Sequence, residues 1–182
     1  LDYDKIILVN GENIGEYNIR IREALSRPFS PVTRDKMICY TPVVAKVLNP
    51  DYSVTTYDIP IYSDLVIVDK IQEPDMFNAP IYKVKHTLPS GEDIEFEIPI
   101  NLNFIDLLNE GAVSKDVEYT PDTGYKLYFS YAIPLYAANK RYNKTLLVAG
   151  DESIINKSVI YTAIRYARNT FKLIHGNNVF LE

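Results

Sequence analysis

Residues 82–98 read YKVKHTLPSGEDIEFEI, and their chemistry fixes a β-hairpin almost to the residue. In the first arm Lys83 and Lys85 alternate with Tyr82, Val84 and His86; in the second Glu95 and Glu97 alternate with Ile94, Phe96 and Ile98. Alternation with period two puts one set on each face of a strand. Between the arms, Pro89 presets φ at the first turn position and Gly91 suits the left-handed conformation of a bulged hairpin loop. That loop sets Lys85 opposite Glu95, Lys83 opposite Glu97, Val84 opposite Phe96 and His86 opposite Ile94. A one-residue slip would put lysines against isoleucines, so the register is strongly specified.

Outward from this hairpin the pattern stays β-rich. Val54, Thr55, Thr56, Tyr57, Ile59, Ile61 and Leu65–Val68 are β-branched, aromatic or aliphatic, and Pro60 makes the stretch an edge or a bend between two strands. Near the N-terminus Ile6–Val9 reads as a short buried strand closed by Asn10-Gly11. Tyr17, Ile19 and Ile21, alternating with Asn18, Arg20 and Arg22, read as a half-buried second strand, with Gly15 in the connecting loop. An N-terminal hairpin subdomain over 1–50 follows from that pairing. Lys36–Tyr40 and Val43–Leu48 fit strand or helix equally. Downstream, Asn103–Asn109 is a short helix ended by Gly111. Tyr125–Ile133 is a strand entered through the turn Pro121–Gly124 and stopped by Pro134, and Thr145–Ala149 is the last strand before a helix.

That helix is predicted over 152–175. Gly150-Asp151-Glu152-Ser153 offers its cap; Ile155, Val159, Ala163, Ala167, Phe171 and Ile174 line one face; Lys157, Tyr161, Arg165, Arg168 and Lys172 mark the other. His175 and Gly176 close it, with Val179–Leu181 as a final strand. The expected fold is α+β: one domain spanning 1–182, a β-rich antiparallel sheet or sandwich carrying one long C-terminal amphipathic helix.

The composition narrows the chemistry more than it names it. A chain of 182 residues with 47% hydrophobic side chains has enough core to fold as a globular domain. Cys39 has no second cysteine to bridge and reads as a small buried hydrophobe; with two histidines beside it, no structural zinc site is expected. His86, on the apolar side of the hairpin, reads as a hydrogen-bonded core histidine. All seven glycines have turn or helix-end uses, so none is left to cradle a phosphate, and no cofactor is expected. The apolar runs are too short to span a membrane. Asp58, Asp64, Asp69, Glu73 and Asp75 lie close in sequence, yet they lack the spacing and central glycine of a calcium loop.

The net charge of −5 conceals a division: residues 1–136 hold 12 basic and 21 acidic side chains, and residues 137–182 hold 7 and 3. Within the basic part, residues 136–144 interleave Lys140, Arg141 and Lys144 with Tyr136 and Tyr142, a pattern suited to phosphate contact with base stacking. Arg165, Arg168 and Lys172 would extend it. The plainer reading is a polar hairpin loop joining strands 125–133 and 145–149, and a pI near 5.1 opposes the usual nucleic-acid footprint. The preferred reading is therefore a non-enzymatic structural or assembly subunit, of a virion or another multi-subunit particle. It would bind itself or other protein subunits through tyrosine-rich surfaces, since tyrosines supply stiff amphipathic contact area. Two rivals stand beside it. One is a small hydrolase using two converging carboxylates, which leave no local signature. The other is a nucleic-acid-binding module built on residues 136–144.

Overall fold

The computed structural model describes residues 3–9, 13–75, 78–111, 124–149 and 155–175. Within them the chain forms a mixed α/β fold of short helices with parallel and antiparallel sheets. At the centre of the parallel sheet lies β1 (Lys5–Leu8), between β9 (Ala132–Pro134) and β10 (Tyr142–Ala149); β10 pairs in turn with β11 (Ala167–His175) at the edge. Every residue of β1 is buried, Lys5 included, and its apolar run Ile6–Leu8 is covered on both faces.

Between β1 and β9 in chain order the polypeptide builds a second, antiparallel sheet. Its strands run β7-β6-β5-β2-β8, formed by Asp93–Pro99, Ile81–Thr87, Asp64–Gln72, Lys36–Cys39 and Leu127–Phe129. A separate ribbon pairs β3 (Val43–Leu48) with β4 (Val54–Ile59), and Pro60 divides β4 from β5. In the hairpin β6–β7, Lys83 faces Glu97, Val84 faces Phe96, Lys85 faces Glu95 and His86 faces Ile94, with Gly91 at φ +89° in the turn. The ion pairs run diagonally, Lys83 to Glu95 at 2.7 Å and Lys85 to Asp93 at 3.0 Å. Half-exposed pairs of this kind contribute only about 0.2–1 kcal/mol, so register rests on the apolar face.

One core joins the two sheets: Ile6 and Leu8 of β1 pack with Met37, Leu65, Val84, Phe96 and Phe104. The other face of the parallel sheet buries Ile7, Ile133, Leu147 and Ala163. A buried charge cluster locks the joint. Asp35, fully buried, receives Arg22 at 2.6 Å, Arg27, the Tyr131 hydroxyl at 2.8 Å and the Val32 N–H at 2.8 Å, while Arg22 lies 3.7 Å over the Phe129 ring.

The expected β-rich antiparallel α+β fold with a long C-terminal helix is not what forms. Where the alternation suggests a second N-terminal strand, residues Ile14–Ala24 make helix α1. Ile14, Gly15, Tyr17, Asn18, Ile21 and Arg22 are its buried positions, neighbours on one face at spacings of three and four, whereas Ile19 is partly exposed. The N-terminal hairpin is therefore absent, and β1 finds its partners at residues 132–134 and 145–148. Asn18 explains part of the choice: its amide donates to the Ala132 carbonyl at 2.9 Å and accepts the Ala132 N–H at 3.0 Å, covering the open edge of β9. Gly15 explains another part. A Cβ there would sit 2.1 Å from the Leu108 carbonyl oxygen, so only glycine lets α1 meet α2 (Leu102–Asn109) this closely.

The long C-terminal helix is likewise replaced by α3 (Lys157–Arg165) followed by strand β11. The spacing of Ile155, Val159, Ala163, Ala167 and Phe171 is four, a number that satisfies both the helical repeat and the alternation of a strand. Asn156 caps α3, its side chain accepting the Val159 N–H at 2.9 Å. The cap expected at 150–153 lies outside the described residues, as do the Asn10-Gly11 turn, positions 121–123, Gly176 and residues 179–181. The single strand expected at 125–133 divides into β8 and β9, which belong to different sheets. Residues 136–144 are no hairpin loop, because β9 and β10 flank β1 on opposite sides. Among the described residues no helix is long and apolar enough to cross a membrane.

Candidate functional site

The parallel strands bring their starting ends together, and the cations gather there. Lys5 opens β1, Tyr142 opens β10 and Ala167 opens β11. Tyr142 donates its N–H to the Tyr166 carbonyl at 2.8 Å, which draws the end of α3, with Arg165 exposed, against the start of β10. Lys144 pairs in register with Thr170, between Arg168 and Lys172 on the neighbouring strand. Among the described residues Arg141, Lys144, Arg165, Arg168 and Lys172 are all exposed, and none has an acidic partner. Lys172, opposite Leu146, stands further along the edge strand than the rest.

Asp64, at the start of β5, organises the inner part of this rim. One carboxylate oxygen meets the Lys5 amine at 3.3 Å and the other meets Lys140 at 2.7 Å. Lys5 is 2% exposed and also donates to the Ser130 carbonyl. Burial pulls its ammonium down to about 8, against the attraction of Asp64, and the charges of Lys140 and Lys36 lower it further. Its amine lies 5.0 Å from the Tyr142 ring centre. Tyr142 is itself buried, its phenol pushed up by burial, and its hydroxyl has no partner among the described residues. These groups line a cavity of about 150 Å³ with Lys36 and Asp4.

Beside them an aromatic ladder climbs from core to surface. Phe104, Tyr40, Tyr62 and Tyr136 follow one another at ring separations of 5.4, 5.8 and 5.7 Å. The last ring, on the 3-10 turn Leu135–Ala137, is 59% exposed. Tyr62 holds a left-handed backbone, φ +66°, and is fixed by its own N–H to the Cys39 carbonyl at 2.7 Å and by the Asn139 amide on its carbonyl at 2.7 Å. Burial raises the Tyr40 phenol well above its ordinary value and raises Tyr62 less.

Of the candidates suggested by sequence, Tyr136 packs on Tyr62 and Lys140 pairs with Asp64, two residues beyond Tyr62 on the same segment, while Tyr142 is buried and unable to stack on a ligand. Arg165, Arg168 and Lys172 form no helical stripe, since the last two belong to β11. Lys5, Lys36, Tyr40 and Tyr62 escape sequence reasoning, because nothing near them in the chain announces a contact made across two sheets. Cys39 is fully buried, its thiol 3.2 Å from the Pro60 carbonyl and pushed up to about 11 by burial, which keeps it protonated and inert at neutral pH. His86 is hydrogen-bonded as expected, with Nδ1 2.9 Å from the Asp64 carbonyl.

The acidic residues 58–75 do not converge. Glu73 is taken by Lys70 at 2.5 Å and Asp75 by Asn78, and Asp64 alone among them lines the cavity. A second cavity, of about 470 Å³ between α1 and α2, is lined by Glu16, Glu23 and Glu110, with Arg20 on Glu16 at 2.6 Å. No group of three or more His, Cys, Asp or Glu suited to a metal ion occurs among the described residues.

No protein-family model matches the chain, and no curated protein matches it. Among solved structures it is similar to that of Bacteroides sp Pif1 in complex with ADP-AlF4, at 11% identity and a TM-score of 0.37. The match covers 96% of this chain and 41% of that one, so this chain spans well under half of its length. A TM-score that low carries no argument about fold or function.

Proposed function

We propose that this chain is a nucleic-acid-binding module that holds a single strand along residues 136–144, from the end of β9 to the cations at the starting edge of the parallel sheet. The observation that carries the reading is Tyr136: an exposed ring, braced from behind by Tyr62, at one end of the segment 136–144 whose other end enters the rim of exposed cations. A base stacks on Tyr136; Lys140, Arg141, Lys144, Arg165 and Arg168 meet phosphates. Every base has a π-face, so such a platform tolerates sequence, and the affinity comes from stacking and charge. The net charge of −5 is overcome locally, because the acidic excess lies in residues 1–136.

The test is fluorescence anisotropy of a labelled oligothymidylate at low salt. Tyr136→Ala removes the platform and should weaken binding by about 1–3 kcal/mol. Equal affinity of that variant and the parent, or no binding by either, would remove the reading.

The assembly-subunit reading rests on a different surface. The β3–β4 ribbon presents Leu48 at 66%, Tyr52 at 86% and Val54 at 58% exposure, an apolar group that a partner subunit would cover. Sedimentation of the parent against Leu48→Lys/Val54→Lys separates the two: only the assembly reading requires self-association or partner capture that this change abolishes.

A further inference from the structure

The cavity under Lys5 has features that packing alone does not require. Three lysines line it, Lys5, Lys36 and Lys140, against two carboxylates, Asp4 and Asp64. Asp64 is committed to Lys5 and Lys140, and Asp4 accepts the Lys144 backbone N–H at 3.2 Å. Lys36, exposed at the mouth, has no ion pair among the described residues. The Tyr142 hydroxyl is buried with no hydrogen-bond partner among them, an arrangement that costs free energy unless something accepts its proton. The space, about 150 Å³, far exceeds the roughly 10–15 Å³ that one water needs.

We infer that this cavity is a binding site for a phosphate-class oxyanion, held by Lys36 and Lys140 at its mouth and by the Tyr142 hydroxyl and Lys5 within. An oxyanion supplies what the cavity lacks, an acceptor for the phenol and a third negative group for the surplus lysine. Charge-assisted hydrogen bonds from hydroxyl and ammonium groups are the strong kind, and several converging on one tetrahedral group suit phosphate better than a planar carboxylate. Lys5 gains as well: it is held down near 8 by burial and by its lysine neighbours, and an anion beside it offsets both. This site shares Lys140 with the strand-binding surface but does not rest on that reading, because free phosphate alone is a sufficient ligand; a phosphate carried on a strand end presents similar oxygens, so both sources are tested.

The experiment is calorimetric titration of the whole chain with inorganic phosphate, then with a short oligonucleotide bearing a 5′-phosphate and with its unphosphorylated twin. Saturable phosphate binding is expected, weakened roughly tenfold or more by Tyr142→Phe, which deletes only the hydroxyl. Lys36→Ala, a change at an exposed position, should weaken it too, with the thermal midpoint unchanged. Preference for the phosphorylated strand over both free phosphate and the twin assigns a strand end as the source; equal affinity for free phosphate and the phosphorylated strand assigns the free anion. Either outcome supports the site. No saturable phosphate binding by the parent, or binding indifferent to both Tyr142→Phe and Lys36→Ala, overturns it. Loss of oligonucleotide binding in Tyr136→Ala with phosphate binding intact would separate this site from the stacking surface.

Discussion

The hairpin β6–β7 is written in alternating apolar and charged residues and the C-terminal α3–β11 in apolar residues four apart, but only the hairpin carries its partner strand beside it in sequence. Its register follows from a turn, two lysines, two glutamates and a period of two. Strand β11 is decided elsewhere, by the open edge of β10, which pairs with it from Tyr142 to Ala149. In isolation residues 155–171 satisfy a helix and a strand equally; the edge of β10 breaks the tie, because its unpaired backbone groups are satisfied only by another strand.

The heaviest blow to both regions should come from Asp35→Ala. Arg22 of α1 is 2% exposed, and removing its carboxylate leaves a buried guanidinium without its counter-charge. The expected cost is about 3–5 kcal/mol in urea unfolding. A cost below about 1 kcal/mol would mean that the two sheets are joined by apolar packing alone.

Lys5→Met acts on the parallel sheet and should show itself in pH dependence. The folded-state value of Lys5 is about 8, below its ordinary 10.5, so between those pH values the unfolded chain holds more protons. Its contribution to stability therefore rises as pH climbs through that window, and the burial cost is fully present below it. The rise amounts to roughly 3 kcal/mol at 1.36 per unit. Stability measured from pH 7 to 10 should climb more in the parent than in Lys5→Met, whereas parallel curves would show that the ammonium is not buried.

A smaller effect distinguishes helix α1 from the hairpin loop that the sequence pattern suggests there. Gly15→Ala places a methyl against the Leu108 carbonyl and should cost roughly 1–3 kcal/mol by overpacking. A loop would tolerate the change or gain slightly from it, so an unchanged melting temperature speaks for the loop. The smallest effect belongs to the hairpin itself: Lys85→Glu should cost under about 1 kcal/mol and leave the cross-strand pairing of Val84 with Phe96 intact by NMR. A shifted register would mean that charge, not the apolar face, sets it.

What is legible in the chain is whatever closes locally. The 82–98 hairpin, the short helix ending at Gly111, the buried strand at Ile6 and the bend at Pro60 each announce themselves within a few residues. The parallel sheet does not, because β1 waits more than a hundred residues for both of its neighbours. Tyr17, Ile19 and Ile21 alternate like a strand only if Asn18 and Arg22 are taken as outward polar residues. Both are buried, Asn18 on the backbone of β9 and Arg22 on Asp35, and neither partner is near in sequence. The candidate site is half legible for the same reason. Tyr136 and Lys140 stand out as a basic aromatic segment; Lys5, Lys36 and Tyr62 join them only after two sheets have formed.

The most direct test of strand binding at this edge is the salt dependence of oligothymidylate affinity, compared between the parent and Arg165→Ala/Arg168→Ala. Both arginines are exposed at the rim and lie outside the core, so the variant should fold as the parent does. The expected result is a linear fall of log affinity with log salt, with a slope shallower in the variant by about 0.7 for each phosphate that the two arginines neutralise. Binding that ignores salt, or a slope identical in the two proteins, would contradict it.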